Sequence, residues 1–133
     1  MTNTSYRLSL EARYFFSQGD FDKAYSLAKE AYIKDPYNRM AFTVYTQAQI
    51  AKQWQNFLKD ADKYFSEIDA IANKPDITEK DKIKIKMMLE ILLDEYKNLK
   101  PSKLLPINIK KSAQTQYIKA KEIYEKVFAK GNQ

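Results

Sequence analysis

The side chains that most enzymes use for chemistry are largely missing from this sequence. Its 133 residues include no Cys and no His, which removes thiolate nucleophiles, imidazole bases and the usual zinc ligands. The two glycines, Gly19 and Gly131, cannot form a Gly-rich phosphate-binding loop. Asp and Glu remain as groups that could hold a hard cation or transfer protons. The sequence therefore predicts a protein that is not an enzyme and has no metal site or cofactor.

Positive charge is the second chemical feature. The net charge is +6, and all of this excess lies after residue 71, where fourteen Lys or Arg accompany eight Asp or Glu. Lys82, Lys84 and Lys86 alternate, which on a helix spreads them over about 200° and leaves only Lys82 and Lys86 on one face. Together with Lys110 and Lys111, these two form a candidate basic surface for RNA, DNA or anionic lipid. Solvated helix faces in a Lys-rich sequence are the alternative explanation.

Periodic apolar residues predict that helices position these groups. A first helix over residues 5–17 ends at Gly19, which can adopt the left-handed conformation that closes a helix, and Asp20 caps the next one. The second helix has small residues at steps of four and three, and it ends before Pro36. Residues 5–36 are therefore predicted to form a tight helical hairpin.

A second hairpin is predicted for residues 39–75. Its first helix carries Ala41, Tyr45 and Ala48 on one stripe, and its second helix runs up to Pro75. The corner is placed at Gln53-Trp54-Gln55, although no Gly or Pro marks it. Trp54 is expected to lie half-buried in that corner.

A third helix pair is predicted for the remaining residues. Asp76 is expected to cap a helix, with Glu79 reaching back to complete a capping box. The KIKIK stretch alternates as a strand would, but residues 82–99 form a run too long for one strand and favour a helix. The last helix covers residues 110–130 and is closed by Gly131. The count is six helices in three pairs.

The first hairpin resembles a tetratricopeptide repeat, a helix-turn-helix unit of about 34 residues with spaced small and aromatic positions. Gly19-Asp20-Phe21 is similar to the interhelical turn of that family, and Asp35-Pro36 is similar to its exit. The small and aromatic positions of the family correspond to Ala12, Phe15, Ala24, Ala28 and Ala31. Ala61, Phe65 and Pro75 repeat part of the pattern, with three residues inserted.

The resemblance implies an all-α fold, a right-handed stack of antiparallel helix pairs with about six helices. This tetratricopeptide-like α-solenoid would form one domain over residues 1–133. Its units would be repeat 1 over 5–38 and repeat 2 over 39–75, followed by a divergent third pair or capping helices over 76–130. A hairpin cannot bury two apolar stripes alone, so about three units must stack.

In that family the first helix of each repeat lines a concave groove that holds a peptide or helix. The resemblance therefore implies a protein-interaction adaptor or scaffold. Arg13 would pair with a partner carboxylate, and Gln47 would bond a partner's backbone. Phe16 and Ile50 share these helix faces but are expected to pack between repeats. The implied groove residues are Tyr6, Ser9, Arg13, Met40, Thr43 and Gln47.

Two classes of partner follow from these features. The preferred one is a protein or peptide of unknown identity in the groove, and the alternative is nucleic acid or anionic lipid on the Lys-rich second half. The sequence contains no signal-peptide pattern and no apolar run long enough to span a membrane. If Met1 is the natural start, this predicts a cytoplasmic protein, which could also be a subunit of a larger assembly.

Overall fold

The structure, a computed structural model, describes residues 2–129. Within this range the protein is all-α, as predicted, with five α-helices, a terminal π-helical segment and no strand. The predicted end of the last helix at Gly131 lies outside the described residues. The helices are α1 (Asn3–Ser17), α2 (Phe21–Lys34), α3 (Arg39–Ala72), α4 (Glu79–Lys97) and α5 (Ile107–Tyr124), and the π-helical segment is Glu125–Ala129.

Helices α1 and α2 form the predicted hairpin. Gly19 between them has a φ of 81°, a conformation that glycine adopts without steric cost. The Asp20 carboxylate accepts a hydrogen bond of 3.1 Å from the Lys23 N–H and so caps α2. The small residues Ala24 and Ala28 are completely buried. Local turn chemistry and the small-residue stripe therefore give the hairpin its shape.

The predicted corner at residues 53–55 is wrong, because α3 is one helix of 34 residues. Its buried residues continue through the expected corner at steps of three and four, so the apolar stripe never changes phase. With no Gly or Pro to interrupt it, nothing ends the helix before Asn73. Trp54, expected in a turn, is a helical residue that is only 6% exposed. The buried stripe consists of Ala41, Val44, Ala48, Ala51, Trp54, Phe57, Ala61, Phe65, Ile68 and Ile71.

Helix α4 has a capping box two residues later than predicted. The Thr78 hydroxyl accepts from the Asp81 N–H, and the Asp81 carboxylate accepts from the Thr78 N–H, both at 3.1 Å. The prediction of Asp76 as cap and Glu79 as its partner is therefore wrong. The Lys74 ammonium lies 2.7 Å from the Asp81 carboxylate, and its hydrogen bond lowers the pKa of that carboxyl. The KIKIK stretch is helical, as predicted.

The chain forms two compact units. Unit 1 comprises Met1–Gln53 and Lys100–Leu105, and unit 2 comprises Trp54–Leu99 and Pro106–Gln133. Helix α3 contributes its first part to unit 1 and the rest to unit 2. The predicted stack of three repeats stays a prediction. None of the helices within residues 2–129 combines the length and apolar character of a membrane span.

Candidate partner-binding surface of unit 1

A buried polar cluster joins the three helical segments of unit 1. The Ser5 hydroxyl donates to the Ala31 carbonyl oxygen at 2.8 Å and accepts from the Asn38 amide at 2.9 Å. Asn38 also caps α3, because its side-chain oxygen accepts from the Ala41 N–H at 3.1 Å. Ser5 and Asn38 are completely buried. One side chain therefore holds the start of α3 against α1 and α2.

The connection between α2 and α3 is fixed by Asp35. Its carboxylate accepts from the Tyr37 N–H at 3.0 Å and from the Thr2 N–H at 3.2 Å. The hydrogen bond from Tyr37 is the main reason that the pKa of this carboxyl is lowered. The start of α1 is thereby tied to the turn before α3, so the surface that the two helices share is held in place.

Ser9 does not belong to the predicted groove surface. It is completely buried, donates to the Tyr6 carbonyl oxygen at 2.7 Å and accepts from the Asn38 amide at 3.4 Å. Its hydroxyl is used inside the protein, so it is not available to a partner. A Ser on a helix face of mixed polar and apolar residues gives no sequence signal that distinguishes these two roles.

The other predicted groove residues are at least partly accessible. Tyr6 is 47% exposed, Arg13 and Thr43 are exposed, and Met40 and Gln47 are half-buried. They lie on α1 and α3, which the Asn38 cluster joins. We call these five residues the groove surface: Tyr6, Arg13, Met40, Thr43 and Gln47.

The two apolar residues on the same helix faces were expected to pack rather than bind. Phe16 is buried, and its ring centroid lies 4.9 Å from that of Phe21 in the same hairpin, so it packs inside unit 1, while packing between repeats stays a prediction. Ile50 is half-buried. The groove surface therefore combines apolar contact area on Tyr6 and Met40 with the polar side chains of Arg13, Thr43 and Gln47.

Gln47 already contacts a segment of the same chain. Its side-chain oxygen accepts a hydrogen bond from the Ser102 hydroxyl, and the Leu104 N–H donates to that same hydroxyl at 3.3 Å. Lys100–Leu105, which belongs to unit 1, is neither helix nor strand. The sequence predicted a loop here but gave no indication that it contacts Gln47, because a contact across 55 positions leaves no local pattern.

An aromatic cluster on α2 and α3 was also missed. The Tyr45 ring centroid lies 5.2 Å from that of Tyr25 and 5.9 Å from that of Tyr32. Tyr32 also contacts Phe42, with centroids 5.6 Å apart. The hydrogen bond to Tyr25 raises the pKa of the Tyr45 hydroxyl. The seven-residue spacing of Tyr25 and Tyr32 was the available signal, since such residues share a helix face.

The predicted basic surface is divided between the two ends of α4 and α5. Tyr96 of α4 stacks on Tyr117 of α5 with ring centroids 4.3 Å apart, and the two helices run antiparallel from there. At ~1.5 Å per residue, Lys86 lies about 25 Å along the helix axes from Lys110. Lys82 has a carboxylate neighbour, Glu79, at 3.3 Å. The four Lys residues therefore do not form one patch.

Comparison of this chain with known proteins found no match. No protein-family model matches it, and neither the curated proteins nor the solved structures contain a match. Among residues 2–129, no three carboxylates are grouped closely enough to hold a metal ion.

Proposed function

We propose that this protein is a non-enzymatic interaction module, an adaptor or scaffold of the tetratricopeptide type, and that the groove surface of unit 1 binds a peptide or helix of a protein partner. The α1–α2 hairpin supports the proposal through its glycine turn, its capped second helix and its buried small-residue stripe. The cytoplasmic location stays a prediction.

One observation carries the proposal: the hydrogen bond between Ser102 and Gln47. It supports the proposal because Gln47 accepts this bond from a non-helical segment, Lys100–Leu105, whose place a partner segment would take. An amide side chain can accept a bond from such a segment and donate another to it. We expect the partner to use the same two properties of Gln47.

The remaining groove residues give the surface its selectivity. Arg13 is exposed and can pair with a partner carboxylate in a bidentate arrangement. Tyr6 and Met40 provide apolar contact area, and the flexible Met side chain can adjust to the shape of the partner. A peptide with an acidic residue next to apolar ones fits these groups best.

The experiment compares two substitutions on α1. Arg13→Glu reverses the charge of the groove surface, whereas Arg7→Glu makes the same change at an exposed residue about 120° away on the same helix. Wild-type and variant proteins are used as baits in a nuclease-treated lysate, and the retained proteins are quantified by mass spectrometry.

We expect a partner that binds the wild type and the Arg7→Glu variant but is lost with Arg13→Glu. The captured partner should then bind the purified protein directly, with the same order of affinities. If the two variants retain the same proteins as the wild type, or lose the same proteins, the groove surface does not bind the partner and the proposal is wrong.

A further inference from the structure

Helix α4 has a second apolar face that unit 2 does not use. Ile83, Met87 and Ile91 follow at steps of four, so they form one line along the helix. They are 60%, 59% and 45% exposed, while Met88 and Leu89, which lie about 100° and 200° around the helix from Met87, are buried. We call these three exposed side chains the α4 stripe. An amphipathic helix needs one apolar face to pack, so the stripe is additional to the fold.

Two exposed charged residues flank the α4 stripe at equal distances along the sequence from Met87. Lys80 precedes it by seven residues and Asp94 follows it by seven, and residues seven apart lie within about 20° on a helix. Both are exposed. A basic group therefore stands at one end of the stripe and an acidic group at the other.

This arrangement complements itself when a second α4 is placed antiparallel to the first. With a twofold axis at Met87, Ile83 of each copy faces Ile91 of the other, and Lys80 faces Asp94. A parallel arrangement would place Lys80 against Lys80 and Asp94 against Asp94, which is unfavourable. Twofold contacts of this kind use the same patch on both copies.

The surface next to Ile91 has a shape that suits the same arrangement. A shallow depression lies beside the acidic end of the stripe and is lined by Glu90, Ile91, Leu93, Asp94, Lys97 and Tyr124. In the antiparallel pair, Ile83 of the second copy approaches the apolar part of this depression, and its Lys80 approaches the carboxylates. Because the axis is twofold, the same contact forms at both ends of the dimer interface.

We propose that the α4 stripe is a self-association surface, and that the protein forms an antiparallel dimer through α4 with Met87 at the twofold axis. Three side chains of each copy and two Lys80–Asp94 pairs make a smaller contact than a standard interface, which buries about 800 Å² on each partner. The dimer is therefore weak, with a Kd on the order of 100 μM. It does not depend on the partner proposed for unit 1.

The first experiment uses the absence of cysteine from the chain. In the Met87→Cys variant the two thiols of a dimer meet at the axis, so mild oxidation should produce a disulfide-linked dimer. Ile33→Cys is the matched control, because Ile33 is an exposed apolar residue of unit 1, 67% exposed. The Met87 variant should cross-link much faster than the control at the same concentration, as followed on a non-reducing gel. Equal cross-linking rates overturn the proposal.

The second experiment tests the pairing by charge reversal, with the dissociation constant measured by sedimentation equilibrium. Lys80→Glu and Asp94→Lys should each weaken the dimer severalfold, because each places like charges opposite one another. An equimolar mixture of the two variants should recover the wild-type affinity, since both facing pairs are then of opposite charge. Neither change opposes the helix dipole, because Glu is favourable near the start of α4 and Lys near its end.

Two results overturn the proposal in the second experiment. One is a wild-type protein that stays monomeric at about ten times the expected Kd. The other is a mixture that associates no better than the single variants alone, which would mean that Lys80 and Asp94 do not face each other. Met87→Glu, which places two carboxylates at the axis, should weaken the dimer more than about tenfold, and an unchanged affinity would likewise reject the contact.

Discussion

The buried apolar residues of unit 1 are mostly alanine, whereas those of unit 2 are mostly large aliphatic and aromatic side chains. Ala24, Ala28 and Ala31 of α2 are completely buried. In unit 2, Phe57 and Leu89 are completely buried, and the Phe57 and Tyr96 ring centroids lie 5.6 Å apart.

This difference indicates which interactions determine how the helices pack in each unit. Where alanine lies between two helices, their backbones approach closely enough for a side-chain hydroxyl to reach the neighbouring backbone, as Ser5 reaches the Ala31 carbonyl oxygen. Directional hydrogen bonds then specify the arrangement. Large side chains in unit 2 instead contribute through the apolar area that they bury. Substitutions should therefore act through different mechanisms in the two units.

The largest effect is expected in unit 2. Phe57→Ala removes a completely buried ring and should lower the free energy of unfolding by about 3–5 kcal/mol, because the lost burial and the cavity left behind add together. Urea unfolding followed by circular dichroism measures the change. Asn56→Ala, at the exposed neighbouring position on α3, is the control and should have little effect. A similar small effect for both would mean that Phe57 does not anchor unit 2.

A smaller effect is expected from the polar cluster of unit 1. Asn38→Ala removes the cap of α3 and leaves the buried Ser5 hydroxyl without its donor, which should cost about 2 kcal/mol. Urea unfolding of this variant is compared with that of Asn108→Ala, which changes an exposed Asn of α5. Equal stabilities would contradict the role of Asn38 in joining α1, α2 and α3.

The turn of the hairpin should respond less still. At Gly19 an added Cβ would meet no atom within 4 Å, so Gly19→Ala acts only through the positive φ and should cost about 1 kcal/mol. Gly19→Asn should cost less, because Asn tolerates the left-handed conformation better. In thermal unfolding, the wild type should have the highest melting temperature, followed by Gly19→Asn and then Gly19→Ala. An Ala variant as stable as the wild type would show that the positive φ is not required.

The smallest effect concerns a pair of carboxyl groups in unit 2. Burial raises the pKa of Glu95 to about 7, together with the hydrogen bond that the protonated Glu95 carboxyl donates to Asp60 and the negative charge of Asp60. The folded protein then binds this proton more tightly than the unfolded chain, so Glu95 makes stability fall as the pH rises from the ordinary Glu pKa through about 7. Glu95→Gln should remove this decrease and raise the melting temperature at pH 8 more than at pH 5.

The control for this pH dependence is Glu122→Gln on α5. Glu122 is exposed, so this variant should follow the wild-type pH profile. If Glu95→Gln lowered the melting temperature at pH 8, or shifted it equally at both pH values, the carboxyl pair would not be responsible for the dependence.

The sequence predicted the elements of unit 1 better than those of unit 2. Gly19, Asp20 and Pro36 act on their immediate neighbours, so the hairpin that they delimit was predicted almost to the residue. The corner near Trp54 was wrong because it depended on a repeat length rather than on a residue that ends helices. The capping box was misplaced by two residues because Asp76 and Thr78 are both good caps, and only the structure shows which of them is used.

The candidate site was predicted less well than the fold. Five of the six groove residues are accessible, because helical periodicity places side chains on a face whatever that face later contacts. Ser9 is buried instead, and Ser102 approaches Gln47 from a distant part of the chain. Both facts depend on packing between segments far apart in sequence, which no local pattern records.

The sequence by itself determined the all-α class, the hairpin and the absence of His and Cys chemistry. These follow from local rules, namely helix periodicity, capping, glycine conformation and composition. Tertiary structure alone decided the continuity of α3 from one unit to the next, the burial of Ser9, the contact of Lys100–Leu105 with Gln47 and the exposure of the α4 stripe. The physical reason is that a side chain is buried by whichever neighbour packs against it, and that neighbour is chosen by the fold as a whole rather than by the residues beside it.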